Sequence, residues 1–230
     1  MTTDTLLIVA AHNEADRIAA TLAALDRAFP GARVWVADDG SRDETAEIAQ
    51  AAGARVVRAG RVIGKGGAMT LAAHELLAQL DADPGGADPV IVLCDGDLGD
   101  SAARLNSLAQ VIANDAADLA VTAFAVRVGG GFGLALKYAG WAIRRRCGLE
   151  LRAPLSGQRA MRASRLEAVL PFAHGFGMEV GMTIDAVRAG MRVVEVQVDL
   201  AHRATGRTLG GFVHRGRQLL DIMRAERTRR

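Results

Sequence analysis

The sequence predicts an α/β protein built on a mostly parallel sheet with helices on both faces, followed by a smaller mixed region. Two observations predict it. Through the first half of the 230 residues, short apolar runs alternate with stretches whose apolar residues recur at helical spacing. The run Pro89-Val90-Ile91-Val92-Leu93-Cys94 is apolar throughout rather than alternating, as a strand covered on both faces is. Strand and helix in turn imply parallel strands joined by crossing helices. With no internal repeat and no clear linker, residues 1–230 are expected to form one domain, with halves at about 1–126 and 127–230.

Leu6–Ala11 is the first strand. Asn13–Phe29 follows as an amphipathic helix with Ile18, Leu22 and Leu25 on one face, ended by Pro30-Gly31. Arg33–Ala37 returns as a strand into Asp38-Asp39-Gly40-Ser41. Asp43–Ala52 is helical, Ala54–Arg58 extended and Gly66–Leu80 helical. After the Asp-Pro-Gly-Gly loop at 83–86 comes the strand into Asp95, then a helix over Ser101–Asn114 and a further apolar run over Asp118–Val126. The second half is less regular. Glycines at 129, 130, 131 and 133 form a loop before a basic helix at about 134–147. Pro154–Arg162 reads as extended, Glu179–Ala189 as a helix, Arg192–Leu200 as a strand and Phe212–Arg227 as a final helix.

Composition narrows the function classes. No stretch reaches the roughly 18 consecutive apolar residues of a membrane span. The N-terminus has no basic lead before Leu6-Leu7-Ile8-Val9-Ala10, a run too short for a signal peptide, so a cytoplasmic protein is expected. Cys94 and Cys147 are too few for a disulfide framework or a cysteine metal site. Scarce aromatics argue against a base-stacking surface, and no nucleic-acid partner is expected. The net charge of +2 hides an asymmetry. Arginines crowd 144–165 and 203–230, while acids concentrate in the first half. A basic second half suits an anionic partner, a phosphorylated acceptor or an anionic membrane surface. Arginines decorating helix exteriors would give the same pattern.

Asp95-Gly96-Asp97 closes the fourth apolar run. Carboxylates one residue apart on an extended chain point to the same side, and open parallel sheets bind ligands beyond the carboxyl ends of their strands. A paired acid there suits a hard divalent cation and a phosphate-bearing substrate; a solvated loop holding two aspartates is the plainer alternative. A dinucleotide fold would place G-x-G-x-x-G after the first strand, where Ala11-His12-Asn13-Glu14 stands; Gly129-Gly130-Gly131-Phe132-Gly133 lacks the third glycine. Gly60-Arg61-Val62-Ile63-Gly64-Lys65-Gly66 is one residue short of a Walker loop, with Gly66 in place of the Ser/Thr that binds magnesium. Lys65 is one of only two lysines, the other being Lys137. An ammonium between glycines at a helix start is well placed to meet a diphosphate.

On these residues the chain resembles the family 2 glycosyltransferases, from about Leu6 to His214. The resemblance rests on Val9-Ala10-Ala11-His12-Asn13-Glu14, on Val36 through Thr45, and on Asp95-Gly96-Asp97 as a D-x-D element. It implies a GT-A fold, a Rossmann-like sheet that transfers a sugar from a nucleotide diphosphate donor. Residues 1–126 would hold the donor and 127–230 the acceptor. Pro154-Leu155-Ser156-Gly157-Gln158-Arg159-Ala160 is similar to a segment of glucosyl-3-phosphoglycerate synthases and polyprenyl-phosphate sugar synthases. Gly175 through Gly181, Ile184-Asp185 and Ala201-His202-Arg203 are most similar to the former. The chain is short for such a synthase, and Gln158-Arg159 departs from its acceptor segment. The Gln-x-x-Arg-Trp motif of processive synthases is absent.

The resemblance implies roles residue by residue. Ala11, Asn13, Glu14, Asp39, Ser41, Lys65, Asp95 and Gly96 would bind the donor. Asp97, His202 and Asp95 would hold magnesium or manganese, with manganese favoured by the nitrogen ligand. Gly157, Gln158, Arg159 and Arg162 would meet the acceptor, the two arginines clamping a phosphate. Glu179, Asp97 and Lys65 would be catalytic, although Glu179 reads equally well as a buried helix-start carboxylate. The implied function is metal-dependent transfer from a UDP- or GDP-sugar to a small phosphorylated or carboxylated acceptor. A membrane-peripheral transferase to polyprenyl phosphate, at the inner membrane face, is the alternative within the class. A catalytically silent nucleotide-sugar-binding protein is the alternative outside it. The helix at 134–146, apolar and ending in Arg144-Arg145-Arg146, fits either an anionic membrane contact or a core or homodimer helix.

Overall fold

The computed structural model describes residues 4–82, 88–123, 133–200 and 209–229. Its strands are β1 (Thr5–Ala11), β2 (Arg33–Asp38), β3 (Arg55–Arg58), β4 (Val90–Asp95), β5 (Leu119–Ala123), β6 (Arg159–Arg162) and β7 (Val193–Gln197). They form one seven-stranded sheet in the order β3-β2-β1-β4-β6-β5-β7. β6 runs antiparallel to both β4 and β5, and the other pairings are parallel. Six strands therefore point one way and share a carboxyl edge. The mostly parallel sheet predicted from alternation is present, with one strand of the second half inserted backwards into it.

The helices are α1 (Ile18–Ala28), α2 (Thr45–Ala51), α3 (Lys65–Asp81), α4 (Asn106–Ala113), α5 (Leu134–Cys147), α6 (Met178–Arg188) and α7 (Leu209–Thr228). Side chains alternate across a strand, and the two faces of β1 and β4 accordingly join different cores. Leu7, Val9, Val90, Val92 and Cys94 pack with Ile18, Leu22 and Leu25 of α1 and with Leu108 and Ile112 of α4. Leu6, Ile8, Ile91 and Leu93 pack with Met69, Ala72 and Leu76 of α3 and with Met178 and Met182 of α6. A third cluster joins Ala139, Ala142 and Ile143 of α5 to Val180 and Ile184 of α6 and Ile222 of α7.

The first helix starts at Ile18, not Asn13. Asn13 has φ +55°, outside the helical region. The N–H groups of Asn13, Glu14 and Ala15 are taken by Ser41 Oγ, Thr45 Oγ1 and Asp43 Oδ2 at 2.9, 2.8 and 3.2 Å. Side-chain acceptors of one loop thus replace a helical turn in another.

Register corrects one expected site residue. Arg159 lies opposite Leu93 near the carboxyl end of β4, whereas Arg162 lies opposite Val90 at its amino end. Three residues along a strand span about 10 Å. Arg162 donates to the carbonyls of Asp88 and Ala113. It braces the amino end of β4, about 10 Å along the sheet from the level of Arg159.

Candidate active site

The alternation that buries Ile91 and Leu93 against α3 and α6 carries Asp95 onto the same face. There the starts of two helices converge on it. Lys65 is the first residue of α3 and Glu179 the second of α6. Lys65 Nζ lies 2.6 Å from Asp95 Oδ1 and 2.9 Å from Glu179 Oε1. The Lys65 side chain is 24% exposed and that of Glu179 is 7%. Burial alone would pull the ammonium pKa down, but the charges and hydrogen bonds of Asp95 and Glu179 hold it above the ordinary lysine value. Lys65 is therefore a fixed cation, aimed across the end of β4. Gly64, at φ +84°, delivers it in a backbone conformation that suits glycine.

Gln158 Nε2 donates to Asp95 Oδ2 at 2.6 Å. Its Oε1 accepts from Ser156 Oγ at 3.1 Å, and Thr122 Oγ1 bonds Ser156 Oγ. This chain fixes the amide, which fixes Asp95, which fixes Lys65. A Cβ on Gly157 would stand 2.4 Å from Lys65 Nζ and 3.0 Å from Asp95 Oδ2, so a side chain there would displace the pair. Gln158 and Arg159, expected at the acceptor, are fully buried. Arg159 donates to Ser156 O and Thr183 Oγ1, both at 3.0 Å. Both side chains support the site from below. Thr122, Ser156 and Thr183 were not legible in sequence as parts of it.

Asp95, expected to hold metal or ribose, receives Lys65 on Oδ1 and Gln158 on Oδ2. Gly96 was expected to touch the donor. Its N–H goes to Ala10 O at 2.8 Å and its carbonyl accepts from Thr21 Oγ1 at 2.7 Å. It lets Ile18 close on the strand end and offers a ligand no polar group. Asp97 is half-buried in the turn beyond, its carbonyl accepting from Arg17 Nη1 at 3.2 Å. His202 lies outside the described residues. Among the described residues, no three or more His, Cys, Asp or Glu side chains gather into a metal cluster.

The donor-side loops meet at the carboxyl ends of β1 and β2. Asp39 Oδ1 accepts from the N–H groups of Ile63 and Gly64 at 2.7 and 3.0 Å, tying the loop that carries Lys65 to the end of β2. Ala11 is buried, and its carbonyl accepts from Asp39 N–H. His12 Nδ1 lies 2.8 Å from Asp39 O. Asn13 is exposed, with Oδ1 accepting from Arg42 N–H. Ser41 is buried, and its hydroxyl accepts from Asn13 N–H, which shapes the loop.

Fixed acids, a fixed cation and crossed loops at the carboxyl edge of such a sheet can be compared with known proteins. Residues 6–178 match the model of the family described as Glycosyl transferase family 2. The chain belongs to that family. It is a glycosyltransferase, as the three ordered sequence signatures implied. It is 30% identical to the undecaprenyl-phosphate mannosyltransferase of Micrococcus luteus over 244 residues, spanning 95% of this chain and 92% of that protein. Among solved structures, it resembles glucosyl-3-phosphoglycerate synthase from Mycobacterium tuberculosis in complex with Mn2+, uridine-diphosphate-glucose and phosphoglyceric acid. The TM-score is 0.73 and the identity 25%, covering 97% of this chain and 80% of that one. The same synthase with Mg2+ and uridine-diphosphate gives a TM-score of 0.72 at 24% identity, covering 97% and 79%. The sheet and helices are those of these GT-A neighbours. No helix among the described residues is long and apolar enough to cross a membrane.

Proposed function

We propose that this family 2 glycosyltransferase moves a sugar from a UDP- or GDP-sugar, with a divalent cation, to a phosphate group presented at an anionic membrane. The observation that carries the donor half is Lys65, locked between Asp95 and Glu179 where a diphosphate would arrive. Transfer forms a bond between the acceptor oxygen and the anomeric carbon. It breaks the bond from that carbon to the β-phosphate oxygen, and the electron pair leaves with the nucleoside diphosphate. Lys65 stabilises that departing charge. Asn13, Glu14 and Asp39 frame the base and ribose.

The donor set fits a hard cation. Magnesium and manganese sites at phosphates need few protein ligands, because the phosphates supply oxygens. Asp97, with His202 by family resemblance, would hold the ion. Bound there, it supplies Lewis-acid neutralisation of the leaving diphosphate. Thermal melting tests this half. With manganese, UDP or GDP at a hundred times its Kd stabilises the protein by about 2.7 kcal/mol, or about 5–10 °C for a chain of this size. Asp97→Ala is expected to lose the manganese-dependent part of that shift. An unchanged shift in the variant removes Asp97 from the metal site.

The acceptor half rests on α5. Its inner face, with Ala139, Ala142 and Ile143, packs on α6, the helix that carries Glu179. Its outer face exposes Leu134 (63%) and Trp141 (40%) beside exposed Lys137, Arg144 and Arg145. Arg145 lies over the Trp141 ring at 5.1 Å. Tryptophan, leucine and basic residues on one face fit the headgroup boundary of an anionic bilayer. A lipid-borne phosphate would arrive as an anion and need no general base, which agrees with Glu179 being held by Lys65. Burial of Arg159 and the place of Arg162 at the amino end of β4 favour the lipid acceptor over a small one clamped by both arginines. That small acceptor stays the second reading, on the likeness to the phosphoglycerate-binding synthase.

Co-sedimentation with phosphatidylglycerol vesicles decides between them. Wild type is expected to bind. The Trp141→Glu/Arg145→Glu double variant is expected to bind at least about tenfold more weakly, at roughly 1 kcal/mol per basic residue plus the ring. Absence of binding to anionic vesicles overturns the membrane reading.

A further inference from the structure

Arg159 is a buried charge that transfer, as described, leaves without a task. A fully buried cation is costly unless paired. Nε and Nη1 of Arg159 are bonded to Ser156 and Thr183, whereas Nη2 is buried with no hydrogen-bond partner. The carboxylate that acts on it is that of Glu179, which opposes the effect of burial; burial lowers the guanidinium pKa to about 10. The two groups are also joined mechanically. Arg159 Nη1 bonds Thr183 Oγ1, and that hydroxyl donates to the Glu179 carbonyl at 2.9 Å.

Opposite charges are therefore linked in turn: Asp95 and Glu179 both hold Lys65, and Arg159 is joined to Glu179 through Thr183. When a diphosphate draws Lys65 Nζ toward the cleft, the nearly buried Glu179 carboxylate loses its cation. Glu179 and Thr183, four residues apart, share one face of α6, and Arg159, bonded to Thr183, brings its open N–H to that face.

We propose that Arg159 is a positioning residue that takes over the Glu179 carboxylate through Nη2 when the donor diphosphate engages Lys65. The hand-over keeps Glu179 ionised and releases Lys65 to the donor. It rests on the reading of this site as the donor site. Among the described residues, the charged groups around Glu179 are Lys65 from α3, paired with it, Asp95 from β4, paired with that lysine, and Arg159 from β6, joined through Thr183. His174 lies on the loop before α6.

Without Arg159, donor binding strands a carboxylate in the interior, and the carboxylate takes up a proton instead. Calorimetry of UDP and GDP binding with manganese, in buffers of differing ionisation enthalpy, measures that proton. Wild type is expected to bind with no uptake attributable to Glu179. Arg159→Met is expected to bind about tenfold more weakly and to take up close to one further proton per site. Arg159→Lys, which keeps the charge, is expected to suppress the uptake. Glu179→Gln in the Arg159→Met background is expected to abolish it and recover affinity, which separates Glu179 from His174. Should Arg159→Met not fold, Arg159→Gln carries the same test, because it keeps a donor for Thr183 and lacks the charge. Equal affinity and equal proton uptake in wild type and the neutral variant overturn the hand-over. Failure of wild type to bind either nucleotide overturns the donor-site reading instead.

Discussion

Lys65→Ala lowers kcat/KM for sugar transfer by about 10²–10³-fold, the size expected when one fixed donor to a developing oxyanion is lost. Among the described residues, nothing nearby replaces it. Arg159 is fully buried, with two of its donors already bonded to Ser156 and Thr183. Lys65→Arg does not restore the rate. A Cβ on Gly157 would sit 2.4 Å from Nζ, so the ammonium already fills the space and a planar guanidinium has no room. The alanine variant also leaves Glu179 and Asp95 without their cation. Because Lys65 is partly exposed, solvent softens the loss, to about 1–3 kcal/mol. Initial rates with a nucleotide-sugar, alongside melting curves, separate the two effects. A variant that folds and turns over at the wild-type rate would remove Lys65 from the mechanism.

Much of this centre was legible in sequence because it is locally encoded. An apolar run ending in Asp95 places that residue at the rim of the sheet, and Gly64-Lys65-Gly66 announces a tight helix start. What the sequence concealed is non-local. Lys65 and Glu179 lie 114 residues apart, and nothing in either segment names the other. Gln158 and Arg159 are strongly polar, in a segment that reads only as extended and acceptor-facing. They are buried because β6 slips between β4 and β5, where polar side chains survive only by bonding one another and the acids beside them. The same reversal carried Arg162 to the wrong edge. Asn13–Arg17 looked helical because apolar periodicity does not register that Ser41, Asp43 and Thr45 compete for the N–H groups of the first turn.

Gly66→Ala is expected to be the most destabilising of the conservative substitutions. A Cβ there would stand 1.8 Å from Ala173 O and 2.9 Å from its carbonyl carbon. Both are backbone atoms, so no rotamer relieves the overlap, and α3 must back away from the loop before α6. Overpacking of a rigid interior costs about 1–3 kcal/mol and more where backbone must move, which here outweighs the roughly 1 kcal/mol that alanine gains over glycine in a helix. A net loss of about 2 kcal/mol lowers the melting point by about 4–8 °C for a chain of this length. The same contact explains why the serine or threonine of a Walker loop is missing: no side chain fits. Gly67→Ala is the control. Its Cβ would meet the Ile63 side chain, with Cδ1 at 3.1 Å, and that side chain can turn aside. The consequence reaches the chemistry, because Lys65 and Glu179 are carried by the two backbones that Gly66 allows to touch. Separating them lengthens the 2.9 Å Lys65–Glu179 contact, so activity in Gly66→Ala should fall even at temperatures where the protein stays folded. Equal melting points for the two alanine variants would show that the α3 start tolerates bulk, and would undo this account of Lys65's placement.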